Sequence, residues 1–225
     1  MLLWNSFLIA FSALLPLINP LGSALVFLGL AGDAPPQVFR SLARKIAINN
    51  IVFLAIIEVL GSAILKFFGI SLPIVQVSGG IVISAIGWSV LNEGDSEATA
   101  RNRREELQLS ADAHIPNLDQ KAFYPFTFPV TSGPGTLVVM LTLSARASGT
   151  DWQENLLRHA GIFLSVAVLS ALVYVCYANA PRITTAIPPA TAHGILRVVA
   201  FILLCIGVQI AWNGLSVLIP TVLHR

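Results

Sequence analysis

Pro129-Val-Thr-Ser-Gly-Pro-Gly135 lies in the middle of an apolar segment, Phe123–Leu143, that is otherwise long enough to cross a bilayer. Two prolines and two glycines in seven residues cannot continue a regular helix. Proline lacks the N–H donor and clashes with the preceding turn, and glycine adds backbone freedom. In hydrocarbon, irregular backbone survives only where protein or a watery cavity satisfies its polar groups. A second break of the same kind, Pro16-Leu-Ile-Asn-Pro-Leu-Gly-Ser23, lies 113 residues earlier.

Around these breaks the composition is that of an integral membrane protein. Of 225 residues, 56% are hydrophobic and only 11% charged, against about 25% charged in soluble domains. The net charge of +2 is too small and too scattered for a nucleic-acid partner. Cys176 and Cys205 both fall in apolar segments without a CxxC spacing and read as small core residues. The first apolar run has no basic residue before it and reads as a retained transmembrane helix, not a secretory signal.

A span needs about 20 apolar residues. Six segments qualify: Leu3–Leu30, Ile46–Phe68, Leu72–Leu91, Phe123–Leu143, Leu156–Tyr177 and Gly194–Leu218. The sequence thus predicts an all-α integral membrane protein with six transmembrane helices, of which the first and fourth are broken. Lys66–Ser71 reads as a tight turn around Gly69, and Ala180–Ala192, with Pro181, Pro188 and Pro189, as an irregular loop. Asn92–Lys121 carries seven acids and four bases and reads as a solvated linker, with Arg101, Arg103 and Arg104 as interface charges.

Lys and Arg favour the cytoplasmic side. Arg40, Arg44, Lys45, Arg101, Arg103, Arg104, Lys121, Arg182 and Arg197 flank one side, and Lys66, Arg146, Arg158 and Arg225 the other. The expected topology therefore places both termini on the periplasmic or extracellular face.

An offset of 113 residues pairs Pro16 with Pro129, Asn19 with Ser132, Gly22 with Gly135, Ser23 with Thr136, Leu28 with Leu141 and Leu30 with Leu143. At the ends of the halves, an offset of 120 pairs Ile86-Gly87 with Ile206-Gly207 and Gly94 with Gly214. Three spans per half force the second half to insert upside down. The expected organisation is a 3+3 inverted repeat: residues 1–91 as the first three-helix repeat, 92–121 as a polar cytoplasmic linker and 122–225 as the second repeat. Corresponding interrupted segments in two halves point to a transporter's binding site.

Each break frees backbone N–H groups at the start of the following half-helix, an end that favours an anionic group such as a carboxylate. Asn19, Pro20, Gly22 and Ser23 at one break, and Thr131, Ser132, Gly133, Pro134, Gly135 and Thr136 at the other, are the candidate substrate-binding residues. Neither break holds a Lys or Arg, which suits a small zwitterion. Glu58 is the one acid well inside a span. Ionised, it would cost about 2.5–3.5 kcal/mol there, so it should face the bundle. It lies on a polar and small stripe with Asn50, Gly61 and Ser62, and is a candidate coupling or gating residue. Cys205, Gln209 and Asn213 share a face of the last span; such residues read first as interhelical hydrogen-bonding glue, with Gln209 and Asn213 also candidates for gating. Gly79, Gly80, Ser84 and Gly87 form a small-residue seam for close helix packing. The four histidines, at loops or span ends, have no partner at metal spacing. No HExxH, GxSxG, P-loop or paired intramembrane Asp occurs, so no metal, cofactor or enzymatic activity is expected.

The combination of Asn19-Pro20-Leu-Gly22, Pro129-Val-Thr131-Ser-Gly133-Pro134-Gly135, Phe27-Leu-Gly-Leu-Ala-Gly32, Phe68-Gly69-Ile-Ser, Gly79-Gly80-Ile and Gly207-Val-Gln209…Asn213-Gly214 resembles the MarC family of bacterial inner-membrane proteins over essentially the whole chain. The resemblance implies a six-span, multi-pass protein of the inner (plasma) membrane, in the LysE-like transporter superfamily and assigned to neutral amino acid transport. Ser132 stands where the family pattern has Ala, and the family requires no acid at Glu58. The resulting expectation is a secondary carrier of small neutral amino acids such as glycine or alanine, using a proton or sodium ion or the substrate's own gradient. An exporter of drugs or other metabolites, and a non-transporting scaffold or regulatory subunit docking through the linker, are the alternatives.

Overall fold

The computed structural model describes residues 1–31, 34–92, 121–147, 151–186 and 189–223. The linker proper, with Arg101, Arg103 and Arg104, lies outside the described residues, as do His114 and His224 and the side chains of Ser62 and His193.

The first apolar segment is two helices, α1 (Leu2–Ile18) and α2 (Pro20–Ala31), hinged at Asn19. Pro20 disfavours the helical region for the residue before it. Asn19 takes the left-handed conformation instead, with φ 41°, which asparagine tolerates better than most residues. Pro16 stays inside α1, so the break is narrower than the sequence pattern suggests.

Next comes α3 (Pro36–Phe67), 32 residues long and so about 48 Å. Its end is closed by bonds from Gly69 N to Lys66 O and from Ile70 N to Leu65 O. This Schellman pattern puts Gly69, φ 68°, at the position that favours glycine, as the sequence predicts. α4 (Leu72–Asn92) follows directly.

The second interrupted segment is α5 (Ala122–Thr131), a wide, π-type stretch with non-helical backbone at Tyr124 and Phe128, and then α6 (Pro134–Ala147). The two are bent by 73°. Both expected breaks are therefore present.

α7 (Trp152–Ala178) starts at the Asp151 cap, whose carboxylate accepts from Gln153 N at 2.9 Å. The expected irregular loop over Ala180–Ala192 is corrected: α8 (Ala180–Ala186) and the start of α9 (Pro189–Leu223) occupy it. Pro181 and Pro189 fall in first turns, where a missing N–H costs no hydrogen bond.

Among the described residues, Leu2–Ala31, Leu72–Asn92, Trp152–Ala178 and Gly194–Pro220 are long and apolar enough to cross a membrane, and the bent α5–α6 pair makes a fifth candidate. α7 is the central helix. Half of its most apolar stretch is buried, against 17% for α9, and α1, α2 and α3 all pack on it. Around its end a buried aromatic cluster joins four elements. Phe27 of α2 stacks on Tyr177 of α7 at 4.5 Å and meets Phe39 of α3 and Phe126 of α5 edge-on.

α4 and α9 form a separate antiparallel pair with backbones in contact. A Cβ at Gly80 would stand 2.4 Å from Ala211 N, and one at Gly207 2.5 Å from Ser84 N. Gly87 is closed by Ala200 and Leu204, and Gly214 by Pro73 and Val77. Every one of these contacts repeats at an offset of 127 residues (Gly80/Gly207, Ser84/Ala211, Gly87/Gly214, Pro73/Ala200, Val77/Leu204), giving the pair a local two-fold axis. The small-residue seam is as expected, and its contacts follow an offset of 127 where the letters match at 120, with Gly94 outside the described residues. The recurring Ile-Gly letters suggest one register, while backbone contact selects another.

Candidate substrate site at the paired breaks

The site is built where the end of α1 meets the start of α6. A Cβ on Gly135 would lie 3.0 Å from Leu17 Cδ2 and 3.2 Å from Ile83 Cγ1. The two breaks thus adjoin, as the matched sequence patterns require. Ser23, Thr131, Ser132, Gly135 and Thr136 are buried, Asn19, Gly22 and Gly133 half-buried, and Pro134 exposed.

At the first break the Asn19 side chain folds back onto its own helix. Its Oδ1 accepts from Gly22 N at 3.2 Å, and its backbone carbonyl accepts from Ser23 Oγ at 2.9 Å. A Cβ at Gly22 would sit 2.2 Å from Asn19 Nδ2, so glycine is what lets this cap close. Pro20 has no N–H to free. The first half-helix end is therefore largely occupied by its own chain.

The second break differs. Ser132, at the position matching Asn19, does not cap α6. Its hydroxyl donates to Asn50 Oδ1 on α3 at 2.6 Å, and Asn50 Nδ2 donates to Ser170 Oγ on α7 at 3.0 Å. Among the described residues the Gly135 N–H has no hydrogen-bond partner, and the Thr136 hydroxyl, next in the chain, is buried with none. An unpartnered donor and hydroxyl at a helix N-terminus are what an incoming carboxylate would satisfy.

A third strand of bonding ties the breaks together through a residue the sequence reading passed over. Tyr177, fully buried at the end of α7, has its hydroxyl 2.8 Å from Thr131 Oγ1 and beside the Ser23 hydroxyl. Thr131 already gives its proton to Phe126 O at 2.7 Å, and Ser23 gives its own to Asn19 O. The Tyr177 proton is therefore the shared donor, available to one acceptor at a time.

Asn50 holds this arrangement from α3. Asn50→Ala removes two interhelical bonds between buried groups. At about 0.6–2 kcal/mol per bond, the expected loss is about 1–4 kcal/mol, read as a shift in the denaturation midpoint in detergent. Asn50→Asp keeps the acceptor for Ser132 and should recover part of it.

The remaining candidates lie apart from the breaks. Glu58 is buried and paired through Oε1 with His159 Nδ1 of α7, while Ser144 of α6 donates to the Glu58 backbone carbonyl at 2.6 Å. Gly61, on the same face of α3, is filled by Leu141 of α6. Gln209 and Asn213 bond to each other along α9 at 3.0 Å, with Gln209 exposed, and not across to another helix as glue would require. Cys205 is exposed and Cys176 buried, both as free thiols. Among the described residues no cluster of potential metal ligands occurs.

Apolar helices, a backbone-contact seam and polar groups gathered at two interrupted helices define a helical integral membrane protein. The chain belongs to the MarC family of integral membrane proteins, which its residues 4–219 match. It is 31% identical over 217 residues to the inner membrane protein MarC of Escherichia coli, and 28% identical over 214 residues to that of Salmonella paratyphi A; each comparison covers 92% of this chain and 93% of the relative. No solved structure matches it.

Proposed function

We propose that the chain is a secondary carrier of small neutral amino acids, glycine or alanine, in the bacterial inner membrane. Two inverted three-span halves, 1–91 and 122–225, rock about the paired breaks, with α3 counted as the sixth span and both termini periplasmic. The inner membrane is the location named for the Escherichia coli and Salmonella relatives.

Part of the packing pattern survives exchange of the halves and supports the repeat: α1 and α2 pack on α7 as α5 and α6 pack on α3, and α4 packs on α9. The seam's two-fold axis has the same sense.

The observation that carries the substrate class is the pair of unpartnered polar groups at the second break. The unpartnered Gly135 N–H and buried Thr136 hydroxyl match a carboxylate, and the Asn and hydroxyl groups alongside suit an ammonium. Leu17 and Ile83 would stand 3.0 and 3.2 Å from a Cβ on Gly135, so a small substrate suits this crowded break better than a large one.

The test is flux of labelled glycine and alanine in proteoliposomes. Saturable flux, competed by unlabelled alanine and not by leucine, is the expected result. Absence of saturable flux in either direction would refute the carrier, and flux of a drug or another metabolite alone would replace the substrate class.

A further inference from the structure

The pair of Glu58 and His159 is not used by the site just described. It lies within the bundle. Glu58 is nine residues from the Phe67 end of α3 and His159 seven from the Trp152 start of α7, hence about 13 and 10 Å along their helices. Both depths are measured from the same face, because Glu58 and His159 meet. The carboxylate side chain is 1% exposed and the imidazole 26%. The imidazole is therefore the open partner and the carboxyl the enclosed one.

Among the described residues, no other ion pair reaches Glu58 or His159. Arg158, the neighbour of His159, is held by Glu154 at 2.9 Å. Asp151 caps α7 at its exposed start. Arg146 is in the last turn of α6 and Lys66 in the last turn of α3. On α5, Tyr124 is exposed, next to the Phe123 that meets Phe53 of α3. On α7, Cys176 and Tyr177 stand near the breaks, and Arg40, Arg44 and Lys45 are more than three turns back along α3.

Glu58 and His159 also belong to opposite halves. Eight residues before Glu58, on the same polar face of α3, Asn50 binds Ser132 at the second break and Ser170 of α7. α6 runs from that break to Ser144, which donates to the Glu58 carbonyl. α3 and α7 are thus tied by two polar clamps, one at the breaks and one about 12 Å nearer the Phe67 face.

We propose that Glu58 and His159 form the proton-coupling site of the carrier, taking up and releasing a proton at the Phe67–Trp152 face to fasten and unfasten the two halves. This rests on the carrier reading and names its coupling ion. With its proton, the pair is neutral overall, as carboxylate with imidazolium or as carboxylic acid with imidazole. Release of that proton to water through the more open imidazole leaves a carboxylate facing a neutral ring, with net charge −1. A second proton on the pair leaves a carboxylic acid facing imidazolium, net +1. Either net charge is costly in a low-dielectric bundle. It is accommodated when water enters between α3 and α7, so a change of proton count and separation of the halves go together.

The test uses the full chain in proteoliposomes with an imposed pH gradient and no sodium gradient. Wild-type protein is expected to accumulate labelled glycine or alanine above equilibrium. Glu58→Gln and, separately, His159→Gln should lose that accumulation while exchange of labelled for unlabelled substrate at equal pH continues. Interchanging the two residues, Glu58→His with His159→Glu, should restore part of it. Wild-type flux indifferent to the pH gradient, or accumulation undiminished in Glu58→Gln, would overturn the proposal; if that variant does not fold, His159→Gln decides by the same criterion. A wild-type protein that moves no amino acid would refute the carrier instead. The proton site is then judged by infrared difference spectra on pH cycling in nanodiscs. A carboxyl band lost in Glu58→Gln supports proton binding there, and no Glu58-dependent band refutes it.

Discussion

Gly207→Leu is expected to abolish folding of the α4–α9 pair, and Gly80→Leu to do the same. At both positions an added Cβ would meet backbone atoms of the opposite helix 2.4–2.8 Å away, and at Gly207 the Ser84 hydroxyl as well. A side chain there cannot be relieved by a rotamer change, so the helices themselves must separate. Overpacking in a core that can adjust costs about 1–3 kcal/mol, and a forced separation of two helices exceeds that range. The measurement is the fraction of protein recovered as a single species after detergent extraction, with the denaturation midpoint for whatever remains. Gly194 is the internal control. It lies in the same helix, and an added Cβ meets nothing within 4 Å. Gly194→Ala should be neutral or stabilising by up to about 1 kcal/mol, through helix propensity alone.

Tyr177→Phe should separate stability from flux. The ring keeps its stack on Phe27, so the lost hydroxyl removes only the bond to Thr131 and the approach to Ser23. Folding stability should fall by about 0.6–1.7 kcal/mol, the range for an interhelical hydrogen bond in a bilayer. In the proposed carrier, flux should fall about tenfold, since about 1.4 kcal/mol at a rate-limiting step gives that factor. The hydroxyl links the two breaks through Thr131 and Ser23. Initial rates in proteoliposomes, normalised to folded protein, measure the effect. Flux at the wild-type rate would remove Tyr177 from the working site.

The breaks were legible in the sequence because proline and glycine act locally. Pro20 constrains Asn19, Pro134 starts α6, and Gly69 closes α3 whatever lies around them. The same reasoning misjudged Pro181 and Pro189, since proline ends one helix and begins the next with equal ease and only the register decides which. The partners of the polar residues were not legible. Glu58 meets His159 across 101 positions, Asn50 meets Ser170 across 120 and Thr131 meets Tyr177 across 46. No periodicity marks which face of one helix will meet another. Tyr177 ends an apolar run, where a tyrosine suits the membrane interface equally well, and His159 stands near a span end. Asn50 was visible as part of a polar stripe, but its bond to the second break was not.

The two breaks are alike in pattern and unlike in chemistry, Asn19 closing its own helix end while Ser132 turns away and leaves its counterpart open. A carrier made of two identical inverted halves would spend equal time facing either side, because the two states would be mirror descriptions of one energy. In the proposed carrier, asparagine against serine would be one of the differences that lift that degeneracy. A difference of about 1.4 kcal/mol between the states already sets a resting preference of about ten to one. In the carrier proposed above, the difference between Asn19 and Ser132 would be one of the features that favour one facing of the empty molecule over the other.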